Sequence, residues 1–130
     1  MININLKLFI SSAIILLLID SIYLWGFSTY FSKLIQTIQK EPFVMNYLGV
    51  VICYILLIIG LNYFVLQNNS LKTKDKIKNA FILGIVIYGV YDSTNHAIFN
   101  KWDFKTLLLD TIWGGILLSL TTYFSIKLNN

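Results

Sequence analysis

The chain has 130 residues, of which 57% are hydrophobic and only 12% are charged. Soluble domains usually carry about 25% charged residues, and a mean hydropathy of +0.72 also argues against a water-soluble fold. All basic residues are lysines, which weighs against nucleic-acid recognition because arginine is the usual reader of bases and phosphates.

Four apolar segments follow one another, at residues 6–27, 44–66, 80–99 and 104–126. Each is close to the roughly 20 residues that a helix needs to cross a bilayer. Helices are expected because a spanning segment must satisfy its own backbone hydrogen bonds. Asp20 interrupts the first segment and no small-x-small cleavage site follows it, which favours a retained span over a signal peptide. We therefore predict an all-α integral membrane four-helix bundle, a single domain over residues 1–130.

The connection after the first segment has a pattern of its own. Its apolar residues recur at helical spacing until Pro42, with polar residues opposite; they are Tyr30, Phe31, Leu34, Ile35 and Ile38. This pattern predicts a short amphipathic helix, lying in the membrane interface or packed over the mouth of the bundle. Aromatic residues near the span ends are expected to be interfacial anchors; these are Trp25, Tyr63, Trp102 and Tyr123.

Lysines indicate the orientation. Four of them crowd the short connection before the third segment, at Lys72, Lys74, Lys76 and Lys78. Because cytoplasmic loops are enriched in lysine, both termini are predicted to be cytoplasmic, in a membrane that the sequence does not identify. The same four lysines either bind anionic lipid headgroups or act only as an orientation signal on a solvated loop.

Three carboxylates lie inside the apolar segments: Asp20, Asp92 and Asp110. Each costs about 2.5–3.5 kcal/mol at the centre of a membrane helix. Counted from the predicted span ends at 1.5 Å per residue, all three lie about 9–10 Å below the outer boundary. No lysine lies within a span core, so the acids have no evident cationic partner.

Polar and aromatic residues accompany the acids at helical spacing. Asn95 follows Asp92 and Trp113 follows Asp110, each by three residues. The predicted binding residues are Asp20, Asp92, Asn95, Asp110 and Trp113, with contributions from Tyr23, Tyr88, Thr94 and His96. No cofactor or metal is expected, and the one pair that suggests metal ligands is Asp92 with His96.

Three functions fit these residues. The first is a buried acidic site that binds a proton, a cation or a small polar solute, in a transport-related role. The second is a membrane-embedded enzyme that uses the aspartates for acid–base or metal chemistry. The third is a structural or assembly protein whose acids join helices. The expected partners are the lipid bilayer and a second copy of the chain, since four helices are few for a private pore.

The chain also resembles a known family at these residues. The matching phrases are Ile19-Asp20 with Tyr23-Leu24, Tyr91-Asp92 with Thr94-Asn95 and Ala97, then Trp102, and finally Asp110 with Trp113-Gly114. They are similar to those of a family of small four-span membrane proteins, found mostly in bacteria and labelled a domain of unknown function. The family pattern does not require histidine at position 96. The resemblance implies a multi-pass membrane protein and no particular activity.

Overall fold

The computed structural model describes residues 4–130. Five α-helices follow one another: α1 (Leu6–Gly26), α2 (Ser28–Gln39), α3 (Tyr47–Leu61), α4 (Thr73–Ile98) and α5 (Phe104–Leu128). A π-helical turn, Asn62–Leu66, continues α3 without a break. No strand occurs among the residues that the structure describes. The prediction of an all-α chain is therefore confirmed.

Short polar side chains set the starts of three helices. Asn5 accepts a hydrogen bond from the N–H of Leu8 at 3.1 Å where α1 begins. Asn46 does the same for α3, and Asp103 accepts the N–H of Thr106 at 2.8 Å at the start of α5. Such caps satisfy backbone donors that the first helical turn leaves without partners.

Three helical stretches are long and apolar enough to cross a membrane: Leu6–Gly26, Tyr47–Leu66 and Phe104–Leu128. All but the last residue of the predicted third segment, 80–99, lies within α4, which does not meet that criterion. Both ends of α4 are polar, because it begins with a lysine-rich turn and carries the sequence Asp92-Ser-Thr-Asn-His96 in its last two turns. The fold thus establishes three apolar helices of spanning length.

The lysine-rich connection differs from the predicted solvated loop. Helix α4 begins at Thr73, so Lys74, Lys76 and Lys78 lie in its first turns. Asp75 in the first turn favours this early start, because a negative charge there complements the helix dipole. The ammonium group of Lys76 donates to the carbonyl oxygen of Leu66 at 2.9 Å and is half-buried. Only the other lysines of the group are fully available to solvent or lipid.

Helix α5 is the centre of the bundle. It packs lengthwise against α4 and, on another side, against α1, while α3 contacts α1. The fully buried side chains in the middle are leucines from α1, the α3–π stretch and α5; they are Leu16, Leu61, Leu66, Leu117 and Leu118. Helix α2 turns one face inward, where Tyr30, Phe31, Leu34, Ile35 and Ile38 are half-buried. The outward faces of α1 and α3 carry many exposed apolar side chains, as lipid contact requires.

Candidate functional site

The three aspartates predicted from the apolar segments lie together at one end of the bundle. Asp20 comes from α1, Asp92 from α4 and Asp110 from α5, and their exposed fractions are 5%, 0% and 7%. We call these three residues the acidic layer. The tyrosine hydroxyl and tryptophan N–H groups described next, all from neutral side chains, surround them.

Asp20 is held by donors from two other helices. The indole Nε1–H of Trp113 donates to Oδ1 of Asp20 at 2.9 Å. The hydroxyl of Tyr54 on α3 donates to the other oxygen, Oδ2. One carboxylate therefore connects α1 to both α3 and α5, with each of its oxygens occupied.

Asp110 is bonded from α1. The hydroxyl of Tyr23 donates to Oδ1 of Asp110 at 2.9 Å, and both groups are buried. The Tyr23 ring stacks on Trp113, with centroids 4.5 Å apart and planes 3° from parallel. Because these two aromatic residues serve different aspartates, their stacking fixes Asp20 and Asp110 relative to each other.

Asp92 is the most deeply buried acid and the least satisfied. Its Oδ1 accepts the indole N–H of Trp102 at 3.2 Å. Its Oδ2 is buried and accepts a hydrogen bond from no protein donor among the described residues. The Asp110 carboxyl is a neighbour of Asp92, and no hydrogen bond joins the two groups in the described part of the chain. Two neighbouring buried carboxylates repel each other when both are ionised, and a proton on one of them removes that repulsion.

Helix α2 covers this end of the bundle. The centroid of its Phe31 ring lies 6.2 Å from that of Tyr23 and 6.1 Å from that of Trp102. Phe31 therefore packs against donors to two of the acids. The Tyr30 hydroxyl hydrogen-bonds to Oγ1 of Thr106, and Thr106 donates to Asp103 at 2.8 Å. We call this chain of Tyr30, Thr106 and Asp103 the latch. Two hydrogen bonds from Thr106 hold the pKa of the exposed Asp103 carboxyl below its usual range.

Some predicted site residues lie outside the network. The hydroxyl of Thr94 donates to the carbonyl oxygen of Val90 at 2.7 Å and is exposed. The Nδ1 of His96 lies 2.6 Å from the carbonyl oxygen of Trp102. Asn95 is half-buried, and none of these three side chains hydrogen-bonds to a carboxylate of the acidic layer. Tyr88 packs its ring against Gly114.

Two donors to the acids are not among the predicted site residues. Trp102 is only 4% exposed, so its prediction as an interfacial anchor is wrong. Tyr54 lies inside a uniformly apolar segment, where nothing in the sequence marks it. One feature of the sequence could have identified Trp102 as a donor. A buried indole N–H needs an acceptor, and Asp92 lies ten residues earlier in the chain.

Metal ligation has no support in this geometry. No group of three or more histidine, cysteine, aspartate or glutamate side chains is arranged to hold a metal ion within residues 4–130. The His96 ring is exposed and engaged with a backbone carbonyl. Asp92 with His96 therefore supplies at most two ligands.

An all-helical chain with three long apolar helices and an apolar exterior has the architecture of an integral membrane protein. A family model described as "Predicted membrane protein (DUF2177)" matches residues 5–127. The chain belongs to this family, whose function is unknown, and the predicted family resemblance is confirmed. No curated protein and no solved structure matches the chain.

Proposed function

We propose that α4 is a fourth membrane span and that both termini lie on the cytoplasmic side. With 26 residues, α4 is about 39 Å long at 1.5 Å per residue, which exceeds the roughly 30 Å hydrocarbon core. It packs lengthwise on α5, which is itself of spanning length. The polar last turns of α4 pack against α5 and Trp102. Asp92 in these turns is fully buried, so its carboxyl does not face lipid. An even number of spans then returns the chain to the side on which it began.

We propose that the acidic layer is a proton-binding site, with Asp92 and Asp110 as the pair that shares the proton. The observation that carries this proposal is the fully buried Asp92 carboxyl, with one oxygen unsatisfied and the Asp110 carboxyl beside it. Two neighbouring buried carboxylates do not both stay ionised without a counter-ion. No lysine ion-pairs with either acid among the described residues, so a proton is the simplest neutralising charge.

A proton fits this site better than a metal ion or a larger solute. The neutral groups around the acids are N–H and O–H donors from Tyr23, Tyr54, Trp102 and Trp113. An indole N–H only donates, so it offers a metal no ligand. The neighbouring groove of about 320 Å³ is lined by apolar residues with Tyr23 and Trp113, and none of the three aspartates lines it. The layer thus has charge to neutralise, and the acids do not line the groove beside it.

Infrared spectroscopy of the reconstituted protein tests the shared proton. A protonated carboxylic acid has a carbonyl stretching band that carboxylates lack. We expect this band at neutral pH in the wild type, and its loss in Asp92→Asn and in Asp110→Asn. The matched control is Asp75→Asn, an exposed acid in the first turn of α4, which should keep the band. A wild type without the band, or a band unchanged in both layer variants, contradicts the proposal.

A structural role is the second candidate, and one observation favours it. Every layer hydrogen bond to Asp20 and Asp110 crosses from one helix to another. Inter-helix bonds of this kind contribute about 0.6–2 kcal/mol in membranes. If the acids join helices as ionised acceptors, the Asn variants lose stability, and the protonated-carboxyl band is absent from the wild type. The same infrared experiment therefore distinguishes the two roles.

A further inference from the structure

A second groove runs between the middle of α1 and the last turns of α5. Its volume is about 480 Å³, which is within the roughly 300–1,000 Å³ of ordinary ligand sites. Five of its six lining residues are apolar, and the sixth is Lys127; the apolar ones are Ile15, Leu18, Ile19, Phe124 and Leu128. None of the three aspartates lines it. The groove is therefore an apolar surface with one positive charge, separate from the acidic layer.

The groove opens on the outer surface of the bundle. Leu18 and Phe124 are 62% and 46% exposed, whereas Ile15 and Ile19 lie deeper and are half-buried. Helices α1 and α5 are both of spanning length, so this surface faces lipid when the chain is in a membrane. An acyl chain that lies in such a groove contacts apolar side chains on two helices, and the many small dispersion contacts add up.

Lys127 and its neighbour Tyr123 give the groove a polar end. The ammonium group of Lys127 donates to the hydroxyl of Tyr123 at 3.3 Å and lies 5.5 Å from the centroid of the Tyr123 ring. Both side chains are exposed, and the tyrosine is neutral, so this contact leaves the positive charge of Lys127 uncompensated. The Tyr123 hydroxyl accepts this bond and keeps its own proton for donation. The two residues thus offer an anion a positive charge and donors from two side chains.

Further lysines lie at the same end of the bundle. The Nδ2 of Asn129 donates to Oγ of Ser11 at 2.9 Å, so the end of α5 lies beside the first half of α1. Lys7 is exposed in the first turn of α1 and precedes Leu18 by eleven residues, or about three turns, so both lie on one helix face. Helix α4 packs along α5 after a short connection and begins at this end too, with three lysines and one aspartate in its first turns. An anionic lipid surface complements this concentration of positive charge.

We propose that this groove binds an anionic phospholipid, with one acyl chain along the apolar lining and the phosphate on Lys127 and Tyr123. A free phosphate ion would use the same donors and leave the apolar groove empty. The headgroup of a phosphatidylcholine has no net charge, so its chain fits the groove but its attraction to Lys127 is weaker. The lipid site does not depend on the protonation of the acids, and its test leaves all three acids unchanged.

Photo-crosslinking of the full chain in reconstituted vesicles tests the lipid and its position. The probes are phosphatidylglycerol and phosphatidylcholine, each with a photoreactive diazirine in one acyl chain, and peptide mass spectrometry locates the crosslinked residues. In the wild type, we expect phosphatidylglycerol to give about fivefold more crosslink at Leu18 and Phe124 than phosphatidylcholine, which is the ratio that the attraction of one lysine supplies. Soluble glycerol phosphate, which has the charge without the chains, should not displace it.

Two pairs of variants separate the charge from the groove. Lys127→Gln should bring the crosslink ratio close to one, whereas the matched control Lys105→Gln, an exposed lysine at the other end of α5, should keep it. Leu18→Trp fills the groove and should abolish the crosslink at Phe124, whereas Leu17→Trp, at an exposed position that does not line the groove, should preserve it. A wild-type ratio near one, a ratio that survives Lys127→Gln, a Phe124 crosslink that survives Leu18→Trp, or displacement by glycerol phosphate overturns the lipid site.

Discussion

The contact between α4 and α5 depends on Gly84 having no side chain. A Cβ atom built on Gly84 lies 2.1 Å from the carbonyl oxygen of Gly114 and 2.8 Å from the Cα of Gly115. Real Cβ atoms essentially never approach other atoms within 3.0 Å. The opposing atoms are backbone and cannot rotate away, so Gly84→Ala forces the two helices apart by about 1 Å at this point.

The cost of this separation follows from the packing. Overpacked cores lose about 1–3 kcal/mol, and we expect about 3 kcal/mol for Gly84→Ala because no side chain is available to move. Alanine returns about 1 kcal/mol through its better helix propensity. The net loss in the free energy of unfolding is therefore about 2 kcal/mol, a factor of roughly 30 in the unfolding equilibrium.

Gly60→Ala is the matched control. Gly60 is also helical, on α3, but nothing lies within 4 Å of a Cβ atom built on it. Its replacement should change stability by between zero and a gain of about 1 kcal/mol. Reversible unfolding in detergent micelles, followed by circular dichroism, compares the variants. Unfolding of Gly84→Ala at or above the midpoint of the wild type, or at the same midpoint as Gly60→Ala, would contradict a steric clash between α4 and α5.

Three further changes test the acidic layer and its cover. Trp113→Phe removes an N–H donor from a buried carboxylate and should lower the free energy of unfolding by about 1–3 kcal/mol in the same assay. The control Trp25→Phe, at an 83% exposed position, should cause no measurable loss, and equal losses for the two variants would contradict this prediction. Tyr30→Phe should speed amide exchange in α2 several-fold, because the latch is broken while the ring stays, and unchanged exchange would disprove the latch. The pKa of Asp103 is lower in the folded protein, so its stabilising contribution is complete above the unfolded pKa of about 4 and is lost as pH falls through the folded pKa. Unfolding midpoints measured between neutral pH and about pH 2 should fall more for the wild type than for Asp103→Asn, and parallel curves would exclude this contribution.

The sequence predicted the class of protein and the family because both depend on local features. Apolar segments of spanning length identify a membrane protein without reference to any neighbour. Hydropathy does not identify α4 as a membrane span, because Asp92, Asn95 and His96 lower the mean hydropathy at its end. Asp92 is nevertheless fully buried. Hydropathy averages the faces of a helix and does not distinguish a polar group that faces lipid from one that faces protein.

Residues of the candidate site were predictable where helical spacing relates them to an acid. Trp113 follows Asp110 by three residues on the same helix, yet its indole donates to Asp20 on another helix. Tyr54 and Trp102 have no such spacing and were missed as donors. The buried Ser12, Thr121, Thr122 and Ser125 were missed for a similar reason, since serine and threonine are common in membrane helices and only their burial distinguishes these residues.

The sequence by itself determined that the chain is an all-helical membrane protein and that Asp20, Asp92 and Asp110 are its unusual residues. Charge and hydropathy are properties of each residue, and the cost of an acid in lipid does not depend on the fold. Only the tertiary structure decided that Asp92 lies beside Asp110, that aromatic donors serve all three acids, and that Thr121 and Ser125 are fully buried. These facts depend on how each helix is rotated and how closely Gly84 lets α4 approach α5, which are consequences of packing between distant segments.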